Sequence, residues 1–401
     1  MKLTKKHTWF FCLLAVLFIL SSCTEDNPLI PPAVEDHSPM WPMIGYNARH
    51  TGNPNSIRVN MLPVNEGKIY WVDTLDTNPS TFNNASENAI DALGNIYHFS
   101  NRSSDPKLIK IRPDGSIIWS KDSVYIHSGG GFALSNNEML IYFQDVNGFK
   151  CIDSSGNTIW AIEQISSYVS MPVIGRDGTI YVILNNNLTA VTPDGNIKWQ
   201  VNSGGIMFGR PALDRGENLY VINESGTNYG VLKFNKFGAI LWRYENLLQN
   251  YNYFSVVIDG FNNIYLNSNK GLVSLDKNGN LRWIKNYGIN TVPAITKNNI
   301  IITDSTKYII ALDTGGSQLW KSVMITDMFI EHSIVLDDND NSYFFFWASD
   351  QDKAASLSIT GNLRWACGLP TYWYGNPGPT LSPLGYIFGT RKRPFLIYCI
   401  K

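Results

Sequence analysis

Charge is scarce in this chain of 401 residues: 16% of them are charged against 44% hydrophobic. That balance excludes a disordered polymer, which needs the reverse. Basic residues are in no excess, since 32 Lys and Arg meet 33 Asp and Glu, so the chain has no electrostatic footprint for nucleic acid. No apolar run approaches the roughly 20 residues that a membrane-crossing helix requires; the longest, Trp9 to Leu20, has twelve. No histidine is spaced with another His or a Cys as in a zinc site. Neither a GxSxG elbow nor a phosphate-cradling glycine loop occurs, and Gly129-Gly130-Gly131 precedes a strand-like run and reads as a flexible loop. Gly and Pro together make only 51 residues, which removes collagen-like and low-complexity chains. Helical spacing of apolar residues is missing throughout.

What is present begins with an export signal. Lys2, Lys5 and Lys6 precede the short apolar run, and Leu20-Ser21-Ser22-Cys23 follows it. This resembles the lipobox of bacterial lipoproteins, which implies removal of residues 1–22 and lipidation of Cys23; a plain secretory peptide with an incidental cysteine is the alternative. Thr24, where an aspartate often retains such lipoproteins at the inner membrane, implies an outer-membrane lipoprotein anchored through its lipid. Glu25 and Asp26 resemble a surface-export stretch, or are simply part of a solvated tether, so a periplasmic and a cell-surface orientation both stay open. Residues 23–40 contain Pro28, Pro31, Pro32 and Pro39 and read as a flexible tether. Loss of the leader leaves 29 bases against 33 acids, a mildly acidic balance that favours solubility. Of the cysteines that remain, Cys151, Cys367 and Cys399 sit in or beside apolar runs as small buried hydrophobes, with a Cys367–Cys399 disulfide as the alternative.

Beyond the tether, one pattern recurs eight times: glycine followed four positions later by tryptophan. The tryptophans are Trp71, Trp119, Trp160, Trp199, Trp242, Trp283, Trp320 and Trp365, with a mean spacing of 42 residues. Between them an apolar pair, a turn and an aliphatic-aromatic step return each time, as in Ala89-Ile90-Asp91 then Ile96-Tyr97, and a further apolar run precedes each glycine. Each period therefore holds four strand-sized runs split by Gly, Asn and Asp turns. Four strands per 42 residues is the arithmetic of a β-propeller blade.

A linear stack is the competing architecture, and the two terminal runs discriminate. Gly67 to Val72 is a lone fourth-type strand, and Phe395 to Ile400 is a third-type strand with no GxxxW after it. Pairing the two closes an all-β, eight-bladed β-propeller with four-stranded blades over residues 41–401 and leaves no exposed sheet edges. The glycine supplies the positive φ of a tight hairpin. The tryptophan on the outermost strand then docks on the neighbouring blade, so all eight are assigned to structure.

The GxxxW repeat, clearest in Ile310-Ala311-Leu312-Asp313-Thr314-Gly315-Gly316-Ser317-Gln318-Leu319-Trp320, resembles the tryptophan-docking motif of the pyrroloquinoline-quinone-like propeller superfamily. Trp41-Pro42, Gly45, Asn47 and Thr51-Gly52 resemble that family's opening segment. The resemblance implies a fold shared by quinoprotein alcohol dehydrogenases and by cofactor-free members such as the lipoprotein subunit of the outer-membrane β-barrel assembly machine. The dehydrogenases carry adjacent cysteines, a calcium site and a catalytic aspartate. This sequence has no Cys-Cys pair and blades of near-minimal length, so no catalytic residue, cofactor or metal is assigned. Asp337-Asp338-Asn339-Asp340-Asn341 has the composition of a calcium loop but occupies the slot of a hairpin turn in other blades.

The longer, more varied loops fall on one face of the ring. Their aromatic residues include Phe208, Tyr253, Tyr287, Tyr372 and Trp373, with Arg210, Glu331, His332 and Asn376 among them. From this set Arg210, Tyr253, Glu331, His332, Tyr372, Trp373 and Asn376 are the candidate ligand-face residues, the alternative being that aromatic side chains plug the channel or pack between blades. Two functions follow. One is a non-enzymatic envelope lipoprotein acting as a binding or scaffold propeller for a protein or glycan partner. The other is a catalytic propeller, quinoprotein-like or polysaccharide-active, which requires clustered acids or a metal at the axis.

Overall fold

Short runs rich in Ile, Val, Leu, Tyr and Phe, each stopped by an Asx- or Gly-containing turn, leave the chain no option but hairpins. In the computed structural model every described element is a strand. The structure describes residues 59–76, 88–100, 106–124, 131–163, 170–226, 228–247, 255–268, 270–287, 291–326, 329–370, 378–392 and 395–401. The leader, the tether and residues 41–58 lie outside the described residues. The chain divides into two compact units, Met1–His37 and Ser38–Lys401, and everything described belongs to the second.

The strands form eight antiparallel sheets arranged as the blades of a ring. Blades 1 to 7 span residues 89–122, 132–163, 173–202, 206–247, 257–285, 294–321 and 329–368, and each is a four-strand meander running outwards from the axis. Blade 8 takes three strands from residues 380–400 and its outermost from Ile69–Asp76. There Trp71 pairs with Cys399 and Val72 with Tyr398, so the two ends of the propeller share one sheet. The seventh sheet has an additional strand, since Thr291–Val292 pairs in parallel with Phe329–Leu336.

Apolar layers fill the space between successive blades. Tyr97, Phe99 and Leu108 of blade 1 meet Phe132, Ile141 and Phe143 of blade 2. The same kind of layer closes the ring, where Ile90, Ile96, Ile109 and Ile111 of blade 1 meet Phe388, Ile397 and Cys399 of blade 8. Cys151, Cys367 and Cys399 are all free thiols, not a Cys367–Cys399 bridge. Burial pushes the Cys151 thiol up to about 12 and the Cys367 thiol to about 11.

The Gly-Trp spacing turns out to link two blades. The indole of each repeat lies on the glycine of the next repeat: Trp71 on Gly115, Trp119 on Gly156, Trp160 on Gly195, and so round to Trp365 on Gly67. A Cβ on any of these glycines would stand only 2.5–3.3 Å from the indole, and every one has positive φ. Seven of the eight indoles also donate Nε1–H to a carbonyl of that turn, at 2.8–3.1 Å. The eighth, Trp320, lies on Gly361.

Closing the ring does not remove every edge, contrary to the expectation from the terminal strands. It pairs the two chain ends, but each outermost strand still has one free side, and Ile118, Ile159, Leu241 and Leu319 are exposed there.

Four blades share a buried polar unit. In blades 1, 4, 5 and 7 an aspartate in the first turn accepts a hydrogen bond from the tyrosine six residues on, as Asp337 Oδ2 does from Tyr343 at 2.8 Å and Asp259 from Tyr265 at 2.7 Å. Where the third strand supplies a lysine, Lys110 or Lys233, it reaches the aspartate at 3.2–3.3 Å. Where it has serine, Ser274 or Ser356, an arginine from the fourth strand, Arg282 or Arg364, crosses over to the tyrosine and serine hydroxyls instead. Asp337, the first acid of the calcium-like run, is used in this way and by the Asn339 and Asn341 amides.

Candidate ligand-binding face

A four-strand meander places its first and third hairpins at one end and its middle hairpin, with the connector to the next blade, at the other. The short turns therefore share a hairpin face, and the connectors share the opposite one. Of the candidate ligand-face residues, Tyr253, Tyr372, Trp373 and Asn376 lie outside the described residues. Glu331 and His332 lie in the first strand of blade 7, where Glu331 pairs with Phe345 and the register then breaks before Val335. His332 pairs in parallel with Thr291.

Arg210 is the candidate whose surroundings are described. It sits in the first strand of blade 4, which also breaks register between Phe208 and Ala212. Arg210 is 5% exposed, and its guanidinium lies against the Met171 sulfur of blade 3, while its backbone bridges in parallel to Ser255 of blade 5. Arg210 belongs to a layer around the axis. The residues two places before each first-strand apolar pair are Gly131, Met171, Arg210, Ser255, Val292, Ser333 and Gly378, from blades 2 to 8. Neighbours in this series touch: Met171 packs over Gly131, Val292 pairs with Ser333, and the Ser333 hydroxyl faces Gly378. Among the described residues the layer contains one cation, one thioether and two hydroxyls, and the corresponding residue of blade 1, Glu87, lies outside the described residues.

Just outside this layer, polar side chains fasten the connectors. Ser170 N–H donates to Gln144 Oε1 at 2.9 Å, and the Ser170 hydroxyl accepts from Ile183 N–H at 2.8 Å. Ser203 donates to Asn223 at 2.5 Å. Thr291 Oγ1 donates to Asp304 at 2.7 Å, and Asn267 donates to the Thr291 carbonyl. These bonds use buried groups that would otherwise lose their water partners, and they hold the connector stems in place. Sequence reading missed them because each partner belongs to a different strand run. Phe208 packs on Tyr229 with ring centroids 6.2 Å apart, and Tyr287 packs on the apolar layer between blades 5 and 6.

Among the described residues no group of three or more His, Cys, Asp and Glu is arranged to hold a metal ion. The buried His98 donates Nδ1–H to Asn88 at 2.7 Å, and desolvation lowers it to about 3.

A family model described as outer membrane protein assembly factor BamB matches residues 104–322. No curated protein matches the sequence. Among solved structures, the chain is similar to BamB from Moraxella catarrhalis at 16% identity, covering 84% of this chain and 99% of that one with a TM-score of 0.56. It is similar to the Dos1 propeller at 10% identity, 84% and 95% coverage and a TM-score of 0.56. A third likeness is to the dihydro-heme d1 dehydrogenase NirN in complex with DHE, at 14% identity, 75% and 69% coverage and a TM-score of 0.54. At these identities the likenesses establish the fold alone.

Proposed function

The chain belongs to the outer membrane protein assembly factor BamB family of pyrroloquinoline-quinone-like propellers, and on that premise we propose that it is a non-enzymatic envelope lipoprotein that scaffolds a protein partner on its connector face. The observation that carries this reading is the family match over blades 1 to 6 of a closed ring.

Cys23 is the anchoring residue in this proposal, residues 1–22 are the removed signal, and residues 23–40 form the spacer between lipid and propeller. The anchor is placed in the outer membrane. These assignments rest on the leader pattern and the tether composition.

Capture from native membranes tests the reading. The full chain, tagged at its C-terminus and carrying its lipid, is expected to retain a stoichiometric protein partner. Retention of glycans in place of protein, or no partner together with turnover of a small molecule, would overturn it.

A further inference from the structure

The hairpin face, opposite the connectors, is divided into two unlike sectors. Over blades 3 to 7 its first turns present Arg176, Asp177, Arg215, Glu217, Lys297 and Asp338, with Phe261 a single apolar exception. Around the junction of blades 8, 1 and 2 the character reverses. Leu62, Leu384, Leu93 and Met139 are 53%, 48%, 77% and 55% exposed. They follow one another round the face. A Cβ on Gly385 would stand 3.5 Å from Leu62 Cβ, one on Gly94 would stand 3.0 Å from Leu384 Cδ1, and Glu138, next to Met139, accepts from the Ala92 amide beside Leu93. The acids of its first turns, Asp91 and Glu138, face inwards, while Asp114 in the third turn of blade 1 is exposed. Asp91 is taken by the Leu93 and Asn95 amides, Tyr97 and Lys110. A run of exposed apolar side chains whose first-turn acids are already matched is the composition of a covered surface.

The chain itself arrives at this sector. Residues 59–65 lie along the hairpin ends of blades 7 and 8. Met61 N–H donates to Asp338 at 2.8 Å, Val64 N–H donates to Tyr343 at 3.0 Å, and Leu62 lies beside Gly385. The chain preceding Val59 therefore starts at one end of the apolar run. Immediately upstream is Met40-Trp41-Pro42-Met43-Ile44-Gly45-Tyr46, which has five large apolar side chains in seven residues and no charge. Residues 47–58 separate it from Val59 and reach at most about 40 Å when extended. That is ample to lay it across neighbouring turns, and the short linkage gives it a high effective concentration there.

We propose that residues 40–46 dock on the Leu62–Leu384–Leu93–Met139 sector of their own propeller. Trp41 provides the large flat side chain, and the unbranched Met40 and Met43 adapt to the gaps between turns. This holds residues 40–46 on the side of the ring opposite the connector face. This docking is independent of what binds there.

Short-reach thiol cross-linking of the full chain tests it. Trp41→Cys is paired with Leu93→Cys, and in a control with Phe237→Cys, an exposed position on blade 4. The 41–93 pair is expected to cross-link within one chain at least tenfold faster than the 41–237 pair. Adding Leu384→Asp is expected to abolish that difference, with melting unchanged because Leu384 is half-exposed. Equal rates for the two pairs would overturn the proposal. So would a product that is only a dimer, which assigns the sector to a second copy, or protection of Leu93→Cys that depends on added lipid vesicles, which assigns it to a membrane surface.

Discussion

The indole of Trp365 rests on Gly67, 298 positions away in sequence, and donates to the Val64 carbonyl at 2.8 Å. It is the same contact that joins every other pair of adjacent blades, made here by a tryptophan of blade 7 and the strand that completes blade 8. Trp365→Ala is expected to lower unfolding free energy by about 3–5 kcal/mol, as for other buried large-to-small changes. Gly67→Ala introduces a Cβ 2.6 Å from the ring at φ +63° and is expected to destabilise as well. Chemical denaturation of both variants checks this.

Removing residues 60–75 deletes the outer strand of blade 8 and the seat of Trp365 together. The expected result is a lower midpoint for the whole ring in a single transition, because blade 7 and blade 8 both lose a packed face. Loss of one local step with the rest unchanged, seen by calorimetry, would show the blades to be independent.

The two ways of placing a cation beside the buried Asp–Tyr couple differ in what the cation reaches, the aspartate for Lys233 and the tyrosine and serine hydroxyls for Arg282. Arg282→Leu in blade 5 leaves Asp259 and Tyr265 without their neighbouring charge and is expected to cost about 1–3 kcal/mol. Adding Ser274→Lys rebuilds the arrangement of Lys233 in blade 4 and is expected to recover most of the loss. A double-mutant cycle in urea measures the coupling.

His98 gives the ring a pH dependence. Its folded pKa, about 3, lies below the ordinary 6.5, so between those values the unfolded chain binds a proton that the folded chain refuses. Stability is fully present above about pH 6.5 and falls towards pH 3, by at most about 1.4 kcal/mol per pH unit from this group. His98→Gln is expected to flatten the melting temperature between pH 4 and 6 relative to the parent.

The blade count and the pairing of the two ends were legible because Gly and Trp recur at fixed spacing and because the terminal runs are complementary halves of one blade. The second role of the glycine was not. Its positive φ is a local property of Asp114-Gly115, whereas the absence of room for a Cβ is set by Trp71, one blade back. The extra strand Thr291–Val292 was equally hidden, since two residues in parallel pairing carry no periodicity. On the connector face, Arg210 stood out as a charge in an apolar approach, but its companion Met171 lies 39 positions earlier and resembles any core methionine. The alternation between Lys110 and Arg282 as charge partners is visible in the sequence once the strands are aligned, and obscure before.

Because Ile69–Asp76 is built first and its partner Phe395–Ile400 last, about 320 residues are synthesised while the earliest strand waits for its mate. At 5–20 residues per second that is roughly 16–65 s. Blades 1 to 7 have all their own strands before then, but none of the intermediate rings is complete. The nascent polymer must keep an orphan segment containing Ile69, Tyr70, Trp71 and Val72 from pairing elsewhere, since the final sheet cannot exist until Phe395–Ile400 has been made.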